Sequence, residues 1–297
     1  MSDNYVIFNP EGGLGKIIAS TAILKYIEKK YPDHKIIVLT PWAEVFINNP
    51  RVHRFYKSGI TPYFYKDFLK GRESVVLRGE PYFQTEHLYG KQHLVKSWCE
   101  LFNLPYDGNP TPELYFTSAE LENYNNNIKS DKPLLLLQSN GGPWDLDKTY
   151  SWTRDFPTSQ SQVLVDELSK LYNILHICRD KGPHLSNVTR IGDTPNKRTF
   201  LSLLLKTDKR ILIDSCLQHA AAALNLPSTV CWVGTSSKVF GYETHTNINP
   251  NIVKKNLNSE GIDSLFFDHD FNGPEHEYPY DSSDIFNLQD IYNSVTK

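Results

Sequence analysis

The sequence predicts an α/β protein built from two successive parallel-sheet units, and three observations carry that expectation. Short β-branched or leucine-rich runs alternate with longer segments of helical period, the pattern of strands joined by crossover helices. The alternation breaks at the polar stretch Asn123–Asp131 (NYNNNIKSD) and then starts afresh. A length of 297 residues with 39% apolar content supplies material for two cores of ordinary size.

In the first unit Tyr5–Asn9 (YVIFN) reads as a strand and Glu11–Lys16 (EGGLGK) as the turn after it. Ile17–Lys30 places Ile18, Ala22, Tyr26 and Ile27 at helical spacing. Lys35–Thr40 (KIIVLT) and Ser74–Arg78 (SVVLR) are further strands, and His87–Phe102 reads as an amphipathic helix. The second unit opens on Lys132–Gln138 (KPLLLLQ), a continuous apolar run of the kind buried on both faces of a parallel sheet. A helix from Thr158 to Tyr172 follows, then strands at Ile174–Cys178 and Val188–Ile191 and a helix at Arg198–Lys206. Arg210–Ile213 and Ser228–Val233 are strands on either side of the alanine-rich helix Leu217–Leu226, and Ile285–Val295 reads as a final helix. The expected division is 1–130, 131–275 and a C-terminal helix in 276–297 that returns toward the first unit. Each of the two units is Rossmann-like.

Composition narrows the function classes. Net charge is −3, which argues against a general nucleic-acid coat. Nine acidic residues face one basic residue between Glu260 and Lys297, so residues 1–259 carry the opposite sign. Arg190, Lys197, Arg198, Lys206, Lys209 and Arg210 crowd one stretch, which reads either as a solvated face or as a surface that meets an anion. No apolar run approaches the roughly 18 residues of a membrane span. The opening residues lack a basic leader, so a cytoplasmic location is expected. Cys99, Cys178, Cys216 and Cys231 stand far apart and read as reduced, buried thiols.

The chemistry-bearing residues fall at predicted strand ends. Gly12, Gly13 and Gly15 lie between a strand and a helix, where glycine lets the backbone approach a ligand and the helix start offers free N–H groups. Their spacing is neither GxGxxG nor a Walker loop, so a plain tight turn fits them equally. Ser139, Asn140, Gly141 and Gly142 follow the buried strand of the second unit, at the edge where open α/β sheets bind ligands. Lys148 and Arg154 stand downstream, a point charge and a bidentate fork for a diphosphate. Asp214, Gln218 and His219 follow another strand; Asp214 serves there as a helix cap or a ligand, and His219 as a core or a site histidine. Thr235 and Ser236 can hold phosphate oxygens through N–H and Oγ.

In this order the motifs resemble glycosyltransferase family 9, the heptosyltransferase-like GT-B enzymes. Glu11–Pro32 with Lys35–Pro41 is similar to that family's opening loop, helix and second strand. Phe156-Pro157 with Arg154 before it resembles its Lys-x-Trp-Pro segment, with Arg for Lys and Phe for Trp. Asp214–His219, Leu226-Pro227 and Val233–Ser236 resemble its Asp-[ST]-G-x-x-H and following turn, the most specific block. The tail, Phe271–Tyr280, further resembles members encoded by tailed bacteriophages.

The resemblance implies two Rossmann-like domains facing across a cleft, and inverting transfer of a sugar from a nucleotide-diphosphate sugar to a hydroxyl. The first domain would bind the acceptor, the second the donor. Ser139, Asn140, Gly141, Gly142, Arg154, Thr235 and Ser236 would lie along the diphosphate. Asp214, with Gln218 and His219, would meet sugar or ribose hydroxyls, and Gly12, Gly13 and Gly15 would face the phosphates. It implies no metal and no cofactor, because helix N-termini and Arg154 supply the charge. One departure matters: the family's loop ends in an Asp taken to be the general base, and Lys16 stands here. A protonated lysine is a poor base, so Lys16 is expected to meet the leaving diphosphate, and Glu80 and His87 become the candidate bases. The phage-like tail points to a hydroxymethylated pyrimidine of DNA as acceptor, in a host cytoplasm. The alternatives are a lipopolysaccharide or other glycan acceptor, and a non-catalytic nucleotide-sugar-binding relative. A nucleotide-sugar epimerase ranks last, since GxGxxG is absent.

Overall fold

The computed structural model describes residues 4–59, 61–125, 130–142, 154–192, 194, 196–251 and 284–297. The first unit runs β1 (Asn4–Phe8), α1 (Leu14–Ser20), α2 (Leu24–Lys30), β2 (His34–Thr40), β3 (Val52–Lys57), α3 (Phe64–Phe68), β4 (Ser74–Leu77), α4 (Thr85–Leu88), α5 (Leu94–Leu101) and α6 (Ser118–Asn125). The second runs β5 (Leu134–Gln138), α7 (Thr158–Leu168), β6 (Asn173–Ile177), β7 (Thr189–Ile191), α8 (Lys197–Lys206), β8 (Lys209–Ile213), α9 (Cys216–Ala223), β9 (Thr229–Cys231), α10 (Ser237–Phe240), β10 (Thr246–Ile248) and α11 (Leu288–Thr296).

Two sheets result, in the orders β3-β2-β1-β4 and β10-β9-β8-β5-β6-β7, and every strand pair in them is parallel. Counted within each unit, both orders contain 3-2-1-4, the arrangement that reverses direction between its first and fourth strands. The reversals fall between β1 and β4 and between β5 and β8, and ligand crevices open at such points.

Leu134–Gln138 is buried throughout, as its unbroken apolar run predicts. Leu134 and Leu136 face one cluster with Leu175, Ile177, Leu212, Val230 and Trp232. Leu135 and Leu137 face the other, with Leu164, Val165, Leu168, Ile291 and Val295. The first of these clusters also contains Val6, Phe8, Ile17, Ile18, Leu24 and Trp98 of the first unit, so the two sheets share one apolar core. On the far side of the first sheet Tyr5, Ile7 and Ile37 pack on Phe68 of α3.

Several sequence expectations change. The helix predicted over Ile17–Lys30 starts at Leu14 and tightens to a 3-10 turn at Thr21–Ile23. Ser20 and Thr21 hydroxyls donate back to the Ile17 and Ile18 carbonyls at 2.7 Å each, competing with the helical ladder there. The helix predicted over His87–Phe102 is two helices, interrupted at Gly90 (φ +63°). The imidazole of His93 starts the second by accepting from the Val95 N–H at 3.1 Å. β3 escapes the pattern reading because it is an edge strand with His53, Arg54 and Phe55 exposed, and β10 because it is three residues long.

The predicted return of the C-terminal helix to the first unit is not what α11 does. It packs on the second sheet: Ile291 and Val295 join the cluster of Leu135 and Ile213, and the Tyr172 hydroxyl donates to the Val295 carbonyl at 2.9 Å. Residues 276–283, Lys148, the tail motif at 271–280 and residues 126–129 of the 123–131 stretch lie outside the described residues. The basic stretch is neither solvated throughout nor offered as one anionic-ligand surface. Arg198 is buried and pairs with Glu120, while also donating to the carbonyls of Glu44 (3.1 Å) and Tyr115. Arg210 donates to the Thr207 carbonyl, and Arg190 to those of Arg179 and Asp180. All four cysteines are free thiols, with Cys216 alone half-buried. No helix among the described residues is long and apolar enough to cross a membrane.

Candidate functional site at the two crossing points

The loop after β1 is shaped by two glycines. Gly12 has φ +120°, which disfavours any side chain, and a Cβ there would lie 2.7 Å from the Lys16 Cδ. The stem of Lys16 therefore lies across a bare backbone. Gly15 has an ordinary φ but faces α9 of the second unit, where a Cβ would come within 3.2 Å of the Cys216 backbone and of the His219 ring. That close approach seats α1 directly on α9. Gly13 faces open space.

Lys16 does not stand alone. Its ammonium donates to both carboxylate oxygens of Glu80 at 2.6 Å and lies 4.0 Å from the centre of the Tyr82 ring. The lysine side chain is 9% exposed and the glutamate 35%. Burial lowers the lysine's pKa, and hydrogen bonding and charge from Glu80 oppose the shift. Glu80 also accepts from the Tyr82 N–H at 3.2 Å, which fixes the carboxylate beyond β4. The structure thus joins two of the three candidate catalytic residues in one ion pair.

The third, His87, is fully buried. Its ring stacks on Tyr82 with centroids 5.2 Å apart and meets the edge of Phe240 at 5.7 Å. Neither ring nitrogen has a hydrogen-bond partner among the described residues, and burial, then the Lys16 charge, push its pKa down to about 4. His87 is a neutral packing ring here, with no surface to offer a substrate.

In the second unit Asp214 follows β8. It is buried, and desolvation raises its pKa against the pull of Arg154, Thr235 and Gln218. The exposed Arg154 places its Cδ about 3.7 Å from where a Gly141 Cβ would stand, and Ser215 Oγ lies 3.6 Å from the same point. Arg154, Gly141, Ser215 and Asp214 therefore meet at the β5–β8 crossing. His219 is buried, its Nδ1 2.8 Å from the Tyr242 hydroxyl, and burial takes its pKa down to about 3. Gln218 Nε2 donates to the Phe240 carbonyl at 3.1 Å. Ser236 is an N-cap, accepting from the Lys238 N–H at 3.3 Å, and Thr235 is buried beside Asp214.

The segment Ser139–Gly142 is held from beneath. Ser139 Oγ lies 2.7 Å from His176 Nε2, and the Gly141 N–H donates to Asp155 at 3.0 Å. Arg179 pairs with Asp155 and also donates to the Gly141 carbonyl, with both side chains buried. Asn140 is buried, its side-chain amide has no hydrogen-bond partner among the described residues, and it packs on Gly182, where a Cβ would fall 2.3 Å from its Oδ1. Gly142 adopts φ +85°.

Arg179, Asp155, Tyr82, His93 and Tyr242 were not singled out from sequence. Arg179 directly follows the Ile174–Cys178 strand, so the strand-end rule that picked Asp214 would have found it. His93 carries no such signal: its Nδ1 caps α5, leaving Nε2–H to donate to the Gly241 carbonyl of the second unit at 3.1 Å.

No family model and no curated protein matches the sequence. Solved structures do match. A glycosyl transferase family 9 protein from Veillonella parvula aligns at 10% identity over 99% of this chain and 97% of its own, with a TM-score of 0.65. ADP-heptose LPS heptosyltransferase II of E. coli aligns at 12% identity over 84% and 91%, with a TM-score of 0.60. E. coli heptosyltransferase WaaC with ADP gives 11% identity over 83% and 93%, and a TM-score of 0.55. The chain shares the backbone fold of these three proteins. At such identities the likeness concerns the path of the backbone. In this chain the loop of Lys16 and the Asp214–His219 segment meet where α1 packs on α9. Among the described residues no group of three or more His, Cys, Asp or Glu side chains could hold a metal ion.

Proposed function

We propose that the protein is a glycosyltransferase that moves a sugar, with inversion, from a nucleoside-diphosphate sugar to an acceptor hydroxyl. The observation that carries this reading is the meeting of the two crossing points through Gly15, whose missing side chain lets the Lys16 loop touch Cys216 and His219. The heptosyltransferase fold supports it. The donor lies over Ser139–Gly142 and Thr235, with its diphosphate on Arg154 and the start of α9, and its hydroxyls on Asp214. The acceptor enters from the first unit across the cleft between the two. As its oxygen bonds to the anomeric carbon, the bond to the diphosphate breaks and the hydroxyl proton passes to a carboxylate. We assign that carboxylate to Glu80, because His87 is sealed behind Tyr82. The cationic side chains take the developing diphosphate charge, so transfer is expected to persist in EDTA.

For the acceptor we propose the hydroxymethyl group of a modified pyrimidine in DNA, supported by the phage-like tail motif. Phe83 and Tyr89, 67% and 70% exposed, follow Glu80 within nine residues, and such rings stack on a base. The test is to find the donor by thermal shift across nucleoside-diphosphate sugars, then to offer hydroxymethylated oligonucleotides and glycans and weigh the products. Transfer only to glycans overturns the acceptor, and a donor that binds without being transferred or hydrolysed leaves a binding protein instead. Asp214→Ala and Arg154→Ala should each reduce kcat/KM for the donor ten- to a hundredfold with folding intact, the loss of one charge-assisted contact of about 1.5–3 kcal/mol. Unchanged kinetics in both would remove the donor site from this position.

A further inference from the structure

Lys16 is committed to Glu80, and this has a chemical cost for both. A carboxylate that accepts from an ammonium on both oxygens and from the Tyr82 N–H on one has most of its lone-pair sites engaged and is a weaker proton acceptor. The ammonium, with three N–H donors, can meet an anion only by sharing it with Glu80, so the two compete for its charge. Yet Lys16 sits one residue from the point where Gly15 touches α9, and its stem runs over the bare Gly12 backbone, where nothing but hydrogen obstructs it. The groups facing the ammonium are Glu80, the Tyr82 ring and the more distant charge of Glu11, with the neutral His87 behind. Glu80 is the partly exposed member of the pair and Lys16 the covered one, so a substrate can reach the carboxylate once the lysine loosens its hold.

We infer that Lys16 is shared between Glu80 and the diphosphate of the donor, so that donor binding releases the Glu80 carboxylate to act as the acceptor's base. This rests on the proposed glycosyl transfer and adds its order: the donor arrives first and arms the base. Before it arrives, the ion pair holds the carboxylate idle, which limits wasteful attack by water. When the diphosphate takes a share of the lysine, Glu80 accepts the proton of the attacking hydroxyl, and the leaving diphosphate keeps the electron pair of the broken bond. Its new charge meets Lys16 and Arg154. The position that the resembling family fills with an acid is thus replaced by a cation and a displaced carboxylate, brought together from opposite sides of the first crossing point.

The inference makes a demand opposite to that of a structural ion pair: removing the carboxylate should strengthen binding of the nucleotide. Calorimetric titration with ADP, GDP, CDP and UDP identifies the nucleotide bound by the wild type. Glu80→Gln should bind it about tenfold more tightly and Lys16→Met about tenfold more weakly. Lys16→Met/Glu80→Gln should match Lys16→Met alone, because Glu80 acts only through the lysine. With the full donor and acceptor, Glu80→Gln should lose at least a hundredfold in kcat while its donor KM falls, and Glu80→Asp should recover part of kcat. Unchanged or weaker nucleotide binding in Glu80→Gln overturns the inference, as does tightening that persists when Lys16 is absent. If the wild type binds none of the four diphosphates, the proposed function itself fails and takes this inference with it. If it binds one and the cycle is flat, only the inference falls.

Discussion

Arg179→Met is expected to destabilise the protein by about 3–5 kcal/mol, the range for removing one partner of a buried ion pair. The loss is large because the substitution strips both partners of a buried guanidinium at once, in a segment that Asp155 also holds. Arg179 neutralises Asp155 and ties down the Gly141 carbonyl, while Asp155 holds the Gly141 N–H, all without water access. Without the arginine the aspartate keeps a buried negative charge but loses the guanidinium that neutralises it. Asp155→Asn/Arg179→Met should recover part of the loss, since no bare charge is left inside. Urea midpoints for the single and double variants measure this. Equal loss in the two would show that packing, not charge, dominates there. The same pair shapes the segment proposed to run along the diphosphate, so the single variant should also bind nucleotide more weakly at temperatures where it is folded.

Acid should undo the fold well above the ordinary carboxylate range. His87, His93 and His176 have pKa values pushed down to about 4, and His219 to about 3, chiefly by burial. The unfolded chain binds these protons near pH 6.5, whereas the folded one does not until about pH 4, so the unfolded state carries more protons between those values. Stability therefore is full above pH 6.5 and falls as pH drops toward 4, by up to about 1.4 kcal/mol per pH unit for each histidine. Melting temperatures taken from pH 7.5 to pH 5 should decline steadily. His87→Phe, which keeps an aromatic ring between Tyr82 and Phe240, should make the decline shallower. A flat profile over that range would mean that these rings are protonated in the folded state.

Both sheets and their strand-end loops were legible because parallel strands buried on two faces leave long apolar runs, Lys132–Gln138 above all, and glycine or small residues mark the turns that follow. Lys16 was legible as a departure, but its pairing was not. Glu80 is 64 positions away, and only the β3-β2-β1-β4 order brings the ends of β1 and β4 side by side. The charges of Arg198 and Arg210 misled for a related reason: composition counts a guanidinium as solvated unless its partner is known, and Glu120 lies in the other unit. α11 was placed on the wrong neighbour because its apolar stripe of Ile291 and Val295 says that it packs, not where.

The apolar core common to both sheets has a mechanical consequence. In many two-unit proteins each half turns as a rigid body about its linker, and substrates enter as the halves swing apart. Here Ile17 and Ile18 of α1 share one interior with Leu217, Ala220 and Ala221 of α9, while Arg198 grips Glu120 and two carbonyls across the seam. A wide swing would expose that interior to water at about 25 cal/mol for each Å² opened, a penalty that mounts with every degree of rotation. The seam works as a weld rather than a hinge pin, and relative motion falls to short excursions of the loops at its rim.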